Sequence, residues 1–413
     1  MNVSRSTSHN TTPSIPHHIH FSPEFHLLAT CSWLAPPNQE HLQAQNIATC
    51  IEADIDWGQF IALTDRHRVQ TIAYTALSRH AGEKVPDPIL RHLKDRSTQF
   101  RMQALMNAAE HVRLCSLFDA NGIRVIPWKG VMLSQRLFGD PAIRHARDLD
   151  ILIQPDDLDL ACRILETAGY KCLTGRITLT PKQRRSVIQH FHHFEFVNGS
   201  GLHVELHWSF YAWPADQVVE VWRQSTVAEL AGVPINCMED DLLLLTLCDH
   251  GAKHTWFRLK WLSDVAMLLT EDRPNGCRAL FDLADRLDLK RTLAHTALMV
   301  HWIYGVPLAD ELMLLVSEEK KSGELSLPAL NSLQWSTEEI MSGGERAEGL
   351  RAALRIWKRR PSLSWRTALM PILTSTADYQ DLHLPDRLFW LYIPLRPFLW
   401  LRRHYLTVTK QPA

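Results

Sequence analysis

The run Arg144-His145-Ala146-Arg147-Asp148-Leu149-Asp150-Ile151-Leu152-Ile153 carries the strongest structural signal in the chain. It alternates polar and apolar residues at its start and is wholly apolar at its end, which predicts a strand with a buried end. Residues two apart in a strand project to the same face, so Asp148 and Asp150 should point together. Two adjacent carboxylates repel each other unless a cation lies between them, and hard oxygen ligands suit Mg²⁺. The run therefore predicts a cation-binding strand.

A third carboxylate lies on a second predicted strand. In His203-Val-Glu205-Leu-His207-Trp208, Glu205 shares a face with the two histidines, and the apolar residues face the other way. If this strand neighbours the first, Glu205 completes an acidic triad with Asp148 and Asp150. Such a triad can hold two metal ions ~3.5–4 Å apart, an arrangement that stabilises the attacking and leaving oxygens in phosphoryl or nucleotidyl transfer.

Basic residues precede the acidic strand. Lys129 and Gly130 stand between a short predicted strand and a helix predicted over 131–138. Gly130 allows close backbone approach, the helix N-terminus favours a phosphate, and Lys129 adds a positive charge. Arg144 and Arg147 are predicted to bind phosphate oxygens. The alternative for Lys129 and Arg144 is a surface ion pair of little energetic worth.

Helical patterns lie on both sides of this β/α segment. A long helix is predicted over 88–120, ending at Asn121-Gly122, and a hairpin is predicted from 192–197 and 202–210. The whole pattern predicts an α+β protein with a small catalytic unit embedded in helical regions. The predicted segments are a disordered leader (1–22), an N-terminal helical region (40–121), the α+β core (122–212), a helical region (213–345) and a basic, Trp-rich C-terminal helical segment (346–413).

The charge balance excludes one class of protein. The 413 residues contain 44 Lys and Arg against 45 Asp and Glu, so overall charge does not hold this chain to nucleic acid, and no specific nucleic acid is expected as a partner. Residues 351–410 nevertheless carry eleven basic and three acidic residues, a surplus of eight. Helical packing with a solvated basic rim is the favoured interpretation. An acceptor-binding or peripheral membrane surface is the alternative.

The cysteines and the N-terminus predict a cytoplasmic protein. Eight cysteines are scattered without a CxxC pair, and their spacings match no zinc module. The N-terminus is polar and contains no signal-peptide pattern. Such cysteines are predicted to be reduced thiols that act as small core residues.

Histidines on the second strand suggest a zinc site as an alternative. His203, Glu205 and His207 share a face, and three nitrogen and oxygen ligands can form an open zinc site. However, a strand triple at i, i+2 and i+4 spans ~13 Å, which is too far for one ion unless the strand bends. The zinc site is therefore the less favoured hypothesis.

A later helix carries a second basic group. In His250-Gly-Ala-Lys253-His254 the residue after the first histidine is glycine, so the HExxH motif of metalloproteases is absent. Lys253, His254 and Lys260 are instead predicted to contact nucleotide phosphates, with ordinary helix–sheet packing as the alternative. The sequence contains no GxxxxGK[ST] loop, no GxGxxG and no GxSxG, which disfavours P-loop, dinucleotide-binding and α/β-hydrolase folds.

Three blocks of sequence together resemble a known family. They are Trp128-Lys-Gly-Val-Met-Leu with Phe138-Gly-Asp-Pro and the run 144–153, Val204-Glu-Leu-His-Trp208, and His250-Gly-Ala-Lys-His254 with Leu259-Lys-Trp261 and Asp264. They resemble the uncharacterised nucleotidyltransferase family of the polymerase-β superfamily. The resemblance implies a polymerase-β-like α+β core with a short mixed sheet, flanked by helical regions. It also implies that Asp148 and Asp150 are metal ligands and that Glu205 is a metal ligand or the base for the acceptor. Lys129-Gly130 stands where the superfamily usually has Gly-Ser or Gly-Gly.

The activity that this resemblance implies is Mg²⁺-dependent nucleotidyl transfer, with Mn²⁺ as an alternative ion. An NTP, with ATP the favoured donor, would give its NMP to a small-molecule, saccharide, peptide or protein acceptor and release pyrophosphate. Two other hypotheses stay open. One is a catalytically inactive nucleotide-binding or regulatory module of the same fold. The other is a toxin–antitoxin component that nucleotidylates a protein.

Overall fold

The structure, a computed structural model, describes residues 15–173, 179–211, 213–271, 273, 276–336, 358–360 and 375–403. In these residues the helices are α1 (Pro23–Cys31), α2 (Glu40–Cys50), α3 (Trp57–His67), α4 (Gln70–His80), α5 (Asp87–Ala120), α6 (Gly130–Phe138), α7 (Leu158–Thr167), α8 (Pro181–His190), α9 (Ala215–Arg223), α10 (Asp240–Lys253), α11 (Leu259–Leu269), α12 (Arg278–Arg286), α13 (Lys290–Tyr304), α14 (Asp310–Glu318), α15 (Ser322–Leu333), α16 (Thr376–Asp381) and α17 (Tyr392–Leu401). The strands are β1 (Ile126–Pro127), β2 (Asp148–Leu152), β3 (Lys171–Cys172), β4 (His193–Val197), β5 (His203–His207), β6 (Ser225–Leu230) and β7 (Val233–Met238). Short 3-10 turns lie at Pro37–Gln39, Gly82–Lys84, Pro155–Asp157 and Asp386–Leu391.

The chain divides into two compact units. The first comprises Met1–Met102, Ile143–His145 and Asp240–Gly343, and the second comprises Gln103–Ala142, Ala146–Glu239 and Gly344–Ala413. Helices α1–α4 precede the β/α segment in sequence and helices α10–α15 follow it, and all of them belong to one unit. The boundaries of the five segments predicted from the sequence stay predictions, and residues 1–14 of the leader lie outside the described residues.

The first unit is helical in its described residues, and α13 is its central helix. α13 packs against α10, α11, α12, α14 and α15. It is buried on all sides over residues 292–300, as expected for a helix with neighbours all round. Helices α10–α15 thus lie within the region 213–345 that the sequence predicts as helical.

Gly251 makes room for a buried aromatic ring in the first unit. The Trp256 side chain is fully buried, and its indole nitrogen donates to His295 Nε2 at 3.0 Å. A Cβ atom on Gly251 would overlap three carbons of this ring at distances that real contacts do not reach. The glycine of the His250–His254 block is therefore required by packing.

We expect Gly251→Ala to lower the free energy of unfolding by about 1–3 kcal/mol, because the fixed indole must shift to admit the methyl group. The matched control is Gly323→Ala in α15, where a Cβ meets no atom within 4 Å. That change should leave stability unchanged or raise it by up to ~1 kcal/mol, since alanine has the higher helix propensity. Urea denaturation of both variants measures the difference, and equal midpoints would show that the indole does not constrain this position.

The second unit contains the mixed sheet. Its strand order is β1-β2-β5-β4-β3, in which β2 and β5 are parallel and the other neighbouring pairs are antiparallel. One face of the sheet packs into the core of this unit through alternate aliphatic and aromatic residues, which include Leu149, Ile151, Val204 and Leu206. The predicted fold class, an α+β core with a short mixed sheet flanked by helices, is confirmed.

Several predicted elements are also confirmed, and one region differs. The long helix ends at Ala120 and is followed by Gly122 in the left-handed conformation (φ 73°), and β4 and β5 form the predicted hairpin. The region 213–345, predicted as helical, contains the hairpin β6–β7. Its turn is Ala231-Gly232, and both residues have positive φ (51° and 80°). The sequence prediction missed this turn because an Ala-Gly pair is a weaker signal than Asn-Gly. Helix α1, capped by Ser22, was not predicted either.

The C-terminal segment packs through two tyrosines and pairs part of its positive charge. Tyr379 and Tyr392 are buried in the core of the second unit. Asp378, also buried, accepts hydrogen bonds from Arg396 and Arg403 at 2.7 Å each. Among the described residues of this segment, the exposed large apolar side chains are Leu388, Trp390, Ile393, Phe398 and Leu401. The described residues 375–403 thus pack as the favoured interpretation expects, whereas residues 346–357, 361–374 and 404–413 lie outside the described residues. Contact with a membrane surface stays a prediction. None of the described helices is both long enough and apolar enough to span a bilayer.

All eight cysteines are free thiols in the structure. Four of them, Cys31, Cys115, Cys248 and Cys277, are buried, and the other four are partly buried. Burial raises the pKa of Cys248 to about 12, so this thiol is inert as a nucleophile at neutral pH. The buried cysteines fit the small core residues that the sequence predicted.

Candidate active site

The parallel pair β2 and β5 brings two carboxylates side by side on the face opposite the core. Asp150 is in register with Glu205, Asp148 with His203, and Leu152 with His207. The odd-numbered residues of β2 and the even-numbered residues of β5 are buried in the core, which fixes the polar residues on the opposite face. The sequence predicted that Glu205 would join the two aspartates if its strand neighboured theirs. The structure shows that the two strands are neighbours.

Asp150 lies at the centre of this polar face. Its side chain is 2% exposed, and Lys129 Nζ lies 2.7 Å from its Oδ1 atom. His207 Nε2 lies 3.3 Å from the same oxygen and 3.1 Å from Glu205 Oε2. Since both neighbours of Nε2 are carboxylate oxygens, the proton of the ring is placed on Nε2, where it donates to them. Lys129 therefore supplies positive charge to the two carboxylates, and His207 donates a hydrogen bond to both of them.

The four groups favour their charged forms. Burial would raise the pKa of Asp150 and Glu205, but Lys129 and His207 outweigh it, so the pKa of Asp150 is lowered and that of Glu205 falls to about 2. Burial would likewise lower the pKa of Lys129 and His207, and the carboxylates outweigh it and raise both. The site is a compact array of charges held together by mutual attraction.

Lys129 and Gly130 connect β1 to α6 beside the acidic strand. Lys129 precedes the first helical residue, and its Nζ atom lies 4.2 Å from the centroid of the buried Trp128 ring. Gly130 has φ 59°, and a Cβ there would stand 3.2 Å from the carbonyl oxygen of Asp148. A larger residue would be strained in that conformation and would press on the backbone of Asp148. The glycine thus lets the N-terminus of α6 approach the first residue of β2.

Asp148 and Arg147 lie at the exposed end of β2. Asp148 is half-buried, and its carboxylate makes no hydrogen bond or ion pair with the residues that the structure describes. Its negative charge nevertheless helps to raise the pKa of Lys129. Arg147 is exposed. The two side chains are therefore accessible to a ligand.

Sequence reasoning missed His111. This histidine lies on α5, one turn after Asn107, and both side chains are fully buried. Asn107 donates to the carbonyl oxygen of Ala146 at 3.2 Å, whereas neither ring nitrogen of His111 has a hydrogen-bond partner among the described residues. Burial lowers the pKa of His111 to about 4 although the charge of Asp150 opposes this. The available signal was an i, i+4 polar pair on the face of α5 that also carries the buried Ala104 and Ala108.

Four residues predicted to bind the nucleotide lie in the first unit. Arg144 donates through two nitrogens to Asp264, and Lys260 Nζ donates to the carbonyl oxygen of His145 at 3.2 Å. The alternative of an ion pair is thus observed for Arg144, although the pair with Asp264 is buried and not at the surface. His254 contacts the Trp261 ring at a centroid distance of 5.1 Å, and Lys253 is partly buried at the end of α10. Phosphate binding by these four residues stays a prediction.

Comparison with known proteins agrees with the geometry. A family model described as an uncharacterised nucleotidyltransferase matches residues 53–305, which include β2, β5 and the acidic residues on them. The chain belongs to this nucleotidyltransferase family. The family predicted from the three sequence blocks is therefore confirmed, and membership supports a general role in nucleotidyl transfer.

The other comparisons add little to the family assignment. One solved structure, an antigenic nucleotidyltransferase-like protein from Paracoccidioides brasiliensis, is similar over 49% of this chain and 92% of its own, with 15% identity and a TM-score of 0.25. No curated protein matches the chain.

Proposed function

We propose that this member of the nucleotidyltransferase family is a Mg²⁺-dependent enzyme that transfers the NMP of an NTP to an acceptor and releases pyrophosphate. ATP is the first donor to test, and the acceptor is a hydroxyl, amine or phosphate of a small molecule, saccharide, peptide or protein. The observation that carries the proposal is the placement of Asp150 beside Glu205 on parallel strands, with Asp148 two residues away on the same face.

The donor set fits Mg²⁺. Asp148, Asp150 and Glu205 offer hard carboxylate oxygens, which Mg²⁺ prefers, and the described residues leave Asp148 without an ion pair. Lys129 Nζ lies close to the carboxylate of Asp150, which supports the view that a neighbouring cation stabilises this carboxylate. A bound Mg²⁺ would neutralise phosphate charge and polarise the phosphorus–oxygen bonds. Mn²⁺, which accepts the same oxygen donors, is the alternative ion.

The chain's own residues orient the reactants. The N-terminus of α6 and Lys129 offer backbone N–H groups and an ammonium to phosphate oxygens, and exposed Arg147 stands next to Asp148. In the proposed transfer the acceptor oxygen or nitrogen bonds to the α-phosphorus, the bond from that phosphorus to the bridging oxygen breaks, and pyrophosphate leaves with the electron pair. The acceptor's proton leaves to solvent. Because the pKa of Glu205 is about 2, this residue suits the role of a ligand better than that of a base.

The direct test is a screen of labelled NTPs with cell extract. The wild-type protein and Asp148→Asn are compared, and a labelled product that forms only with the wild type supports the proposal. If the label appears on a protein band, the acceptor is a protein, as in the toxin–antitoxin hypothesis. Absence of any product that depends on Asp148, across all four NTPs, contradicts transfer.

One observation favours a second candidate, an inactive nucleotide-binding module. Lys129 and His207 already contact the carboxylates of Asp150 and Glu205, so these two groups have partners without a metal ion. Calorimetry with ATP and Mg²⁺, combined with a pyrophosphate assay over many acceptors, separates the two. Binding without pyrophosphate release supports the module.

Lys129→Met should separate metal binding from turnover. Loss of the ammonium leaves Asp150 and Glu205 with less positive charge, so we expect Mg²⁺ alone to bind more tightly, by roughly tenfold for ~1.4 kcal/mol of removed repulsion. Nucleotide turnover should nevertheless fall, because the group offered to the phosphates is gone. Calorimetric titration with Mg²⁺ and a pyrophosphate assay measure the two effects. Lys171→Met, on the exposed strand β3 of the same sheet, is the control. Unchanged or weaker Mg²⁺ binding by Lys129→Met would contradict this role.

A further inference from the structure

A second group of metal-binding side chains lies on the same face of the sheet. His193 on β4 is in direct register with His207 on β5, and Glu205 precedes His207 by two residues on the same face. The potential ligand atoms of these three residues all lie within 4.8 Å of one another. From this geometry we propose that His193, Glu205 and His207 form a binding site for a first-row transition metal ion of the Zn²⁺ class.

The positions of the three residues fit one ion. The triple considered from the sequence, with His203 and His207 four residues apart on one strand, spans ~13 Å and is too long. His193 lies across the hairpin instead, so its ring centroid is 5.0 Å from that of His207. The neighbouring strand thus supplies the ligand that His203 cannot.

The distances need only small side-chain adjustments. Zinc bonds of ~2.0–2.2 Å in tetrahedral geometry place ligand atoms roughly 3.3 Å apart. His207 Nε2 and Glu205 Oε2, at 3.1 Å, already have this separation. No separation in the group exceeds 4.8 Å, and a rotation of the partly exposed His193 or Glu205 side chain can shorten the longer ones. Two of the three ligand atoms, His207 Nε2 and Glu205 Oε2, are therefore already spaced as they would be around one zinc ion.

The chemistry of the group selects against Mg²⁺. Two imidazoles and one carboxylate are ligands for Zn²⁺ and its first-row neighbours, whereas Mg²⁺ prefers oxygen ligands alone. The Nδ1 atoms of His193 and His207 are buried and have no hydrogen-bond partner among the described residues. Coordination through His207 Nε2 would replace the ring proton that now lies between this nitrogen and Glu205 Oε2, and that proton would leave to solvent.

The surrounding charge and access also favour a cation. The same face carries four carboxylates, contributed by Asp148, Asp150, Glu195 and Glu205, against the positive charges of Lys129 and, at the far edge of the sheet, Lys171. His207 is 5% exposed, whereas His193 and Glu205 are 23% and 27% exposed, so an ion and a fourth ligand can enter from their side. Glu205 is a ligand in this proposed site and in the proposed Mg²⁺ site, so the two sites adjoin. They differ because only this one contains His193 and His207.

The test is a Zn²⁺ titration of chelator-treated full-length protein against a chromophoric chelator. We expect the wild type to bind one equivalent, His193→Asn to bind at least ~100-fold more weakly, and His203→Asn to bind like the wild type. His203 is the matched control because it lies on β5, on the same face, and is exposed. Co²⁺ added to the wild type should give visible absorption bands typical of nitrogen ligation in a four- or five-coordinate site. The spectrum does not depend on whether the His193 variant folds.

Three results would overturn the proposal. They are the absence of stoichiometric Zn²⁺ binding and of the Co²⁺ bands in the wild type, unchanged binding by folded His193→Asn, and an equal loss in His203→Asn. Asp148→Asn should retain Zn²⁺ binding. Loss of nucleotide turnover in that variant with Zn²⁺ still bound therefore separates this site from the proposed transferase function.

Discussion

Asp148→Asn should lower Mg²⁺-dependent NTP turnover at least ~10³-fold, equivalent to ~4 kcal/mol of transition-state stabilisation, and leave the fold intact. The substitution keeps the shape of the side chain and removes its charge. Because Asp148 is half-buried and has no ion pair among the described residues, its charge contributes little to folding. Pyrophosphate release with saturating ATP measures the activity, and a urea unfolding curve measures the stability.

Asp150→Asn differs from Asp148→Asn in one respect. It should abolish turnover to the same extent, but it also leaves Lys129 and His207 buried with one carboxylate fewer. Breaking such a buried pair typically costs about 3–5 kcal/mol, so this variant should also be less stable. The two aspartates are therefore expected to have equal effects on activity and unequal effects on folding.

The control for both is Asp156→Asn. Asp156 is exposed in the 3-10 turn that follows β2, so the same chemical change occurs eight residues from Asp148 without touching the polar face. Its turnover and stability should match the wild type. Near-normal turnover in Asp148→Asn would contradict the proposed function, and equal stability of all three variants would contradict the described role of Lys129.

Much of the acidic site could be predicted because strand periodicity is local information. The alternation in 148–153 and 203–208 fixes which side chains share a face, and the structure places Asp150 beside Glu205 accordingly. His193 could not be paired with His207 from the sequence, because a shift of one residue in the hairpin register would move it to the other face. His111 is contributed by a helix, and its approach to the sheet depends on packing that no local pattern specifies.

The partner of Arg144 could not be predicted from the local sequence pattern either. Arg144 precedes the acidic strand by four residues, which suggested phosphate binding, yet its guanidinium contacts a carboxylate 120 positions away in sequence. The Nε and Nη2 atoms donate to the two oxygens of Asp264 at 2.7 and 2.8 Å, and the side chains are 3% and 1% exposed. This two-point geometry is the strong form of an arginine–carboxylate pair.

We expect Arg144→Met to lower the free energy of unfolding by about 3–5 kcal/mol, because it leaves the carboxylate of Asp264 buried without its partner. Asp264→Leu should cost a similar amount for the converse reason. The double variant Arg144→Met/Asp264→Leu should be more stable than either single variant, since it removes both charges and replaces them with apolar groups. Urea unfolding of the wild type, the two single variants and the double variant completes this double-mutant cycle. If the loss of stability in the double variant equals the sum of the two single losses, the two residues do not pair directly.

The double variant also decides between the two roles of Arg144. If the arginine acts by pairing with Asp264, a folded double variant binds ATP and Mg²⁺ with an affinity close to that of the wild type. If Arg144 grips phosphate oxygens, as the sequence predicted, the double variant recovers stability and still loses ATP affinity at least ~10-fold, because a charge-assisted bond to phosphate is worth ~1.5–3 kcal/mol. Calorimetry on the double variant distinguishes these outcomes without relying on turnover. We expect the first, because a guanidinium that is 3% exposed and bound at two points must break a buried ion pair before it can reach a nucleotide.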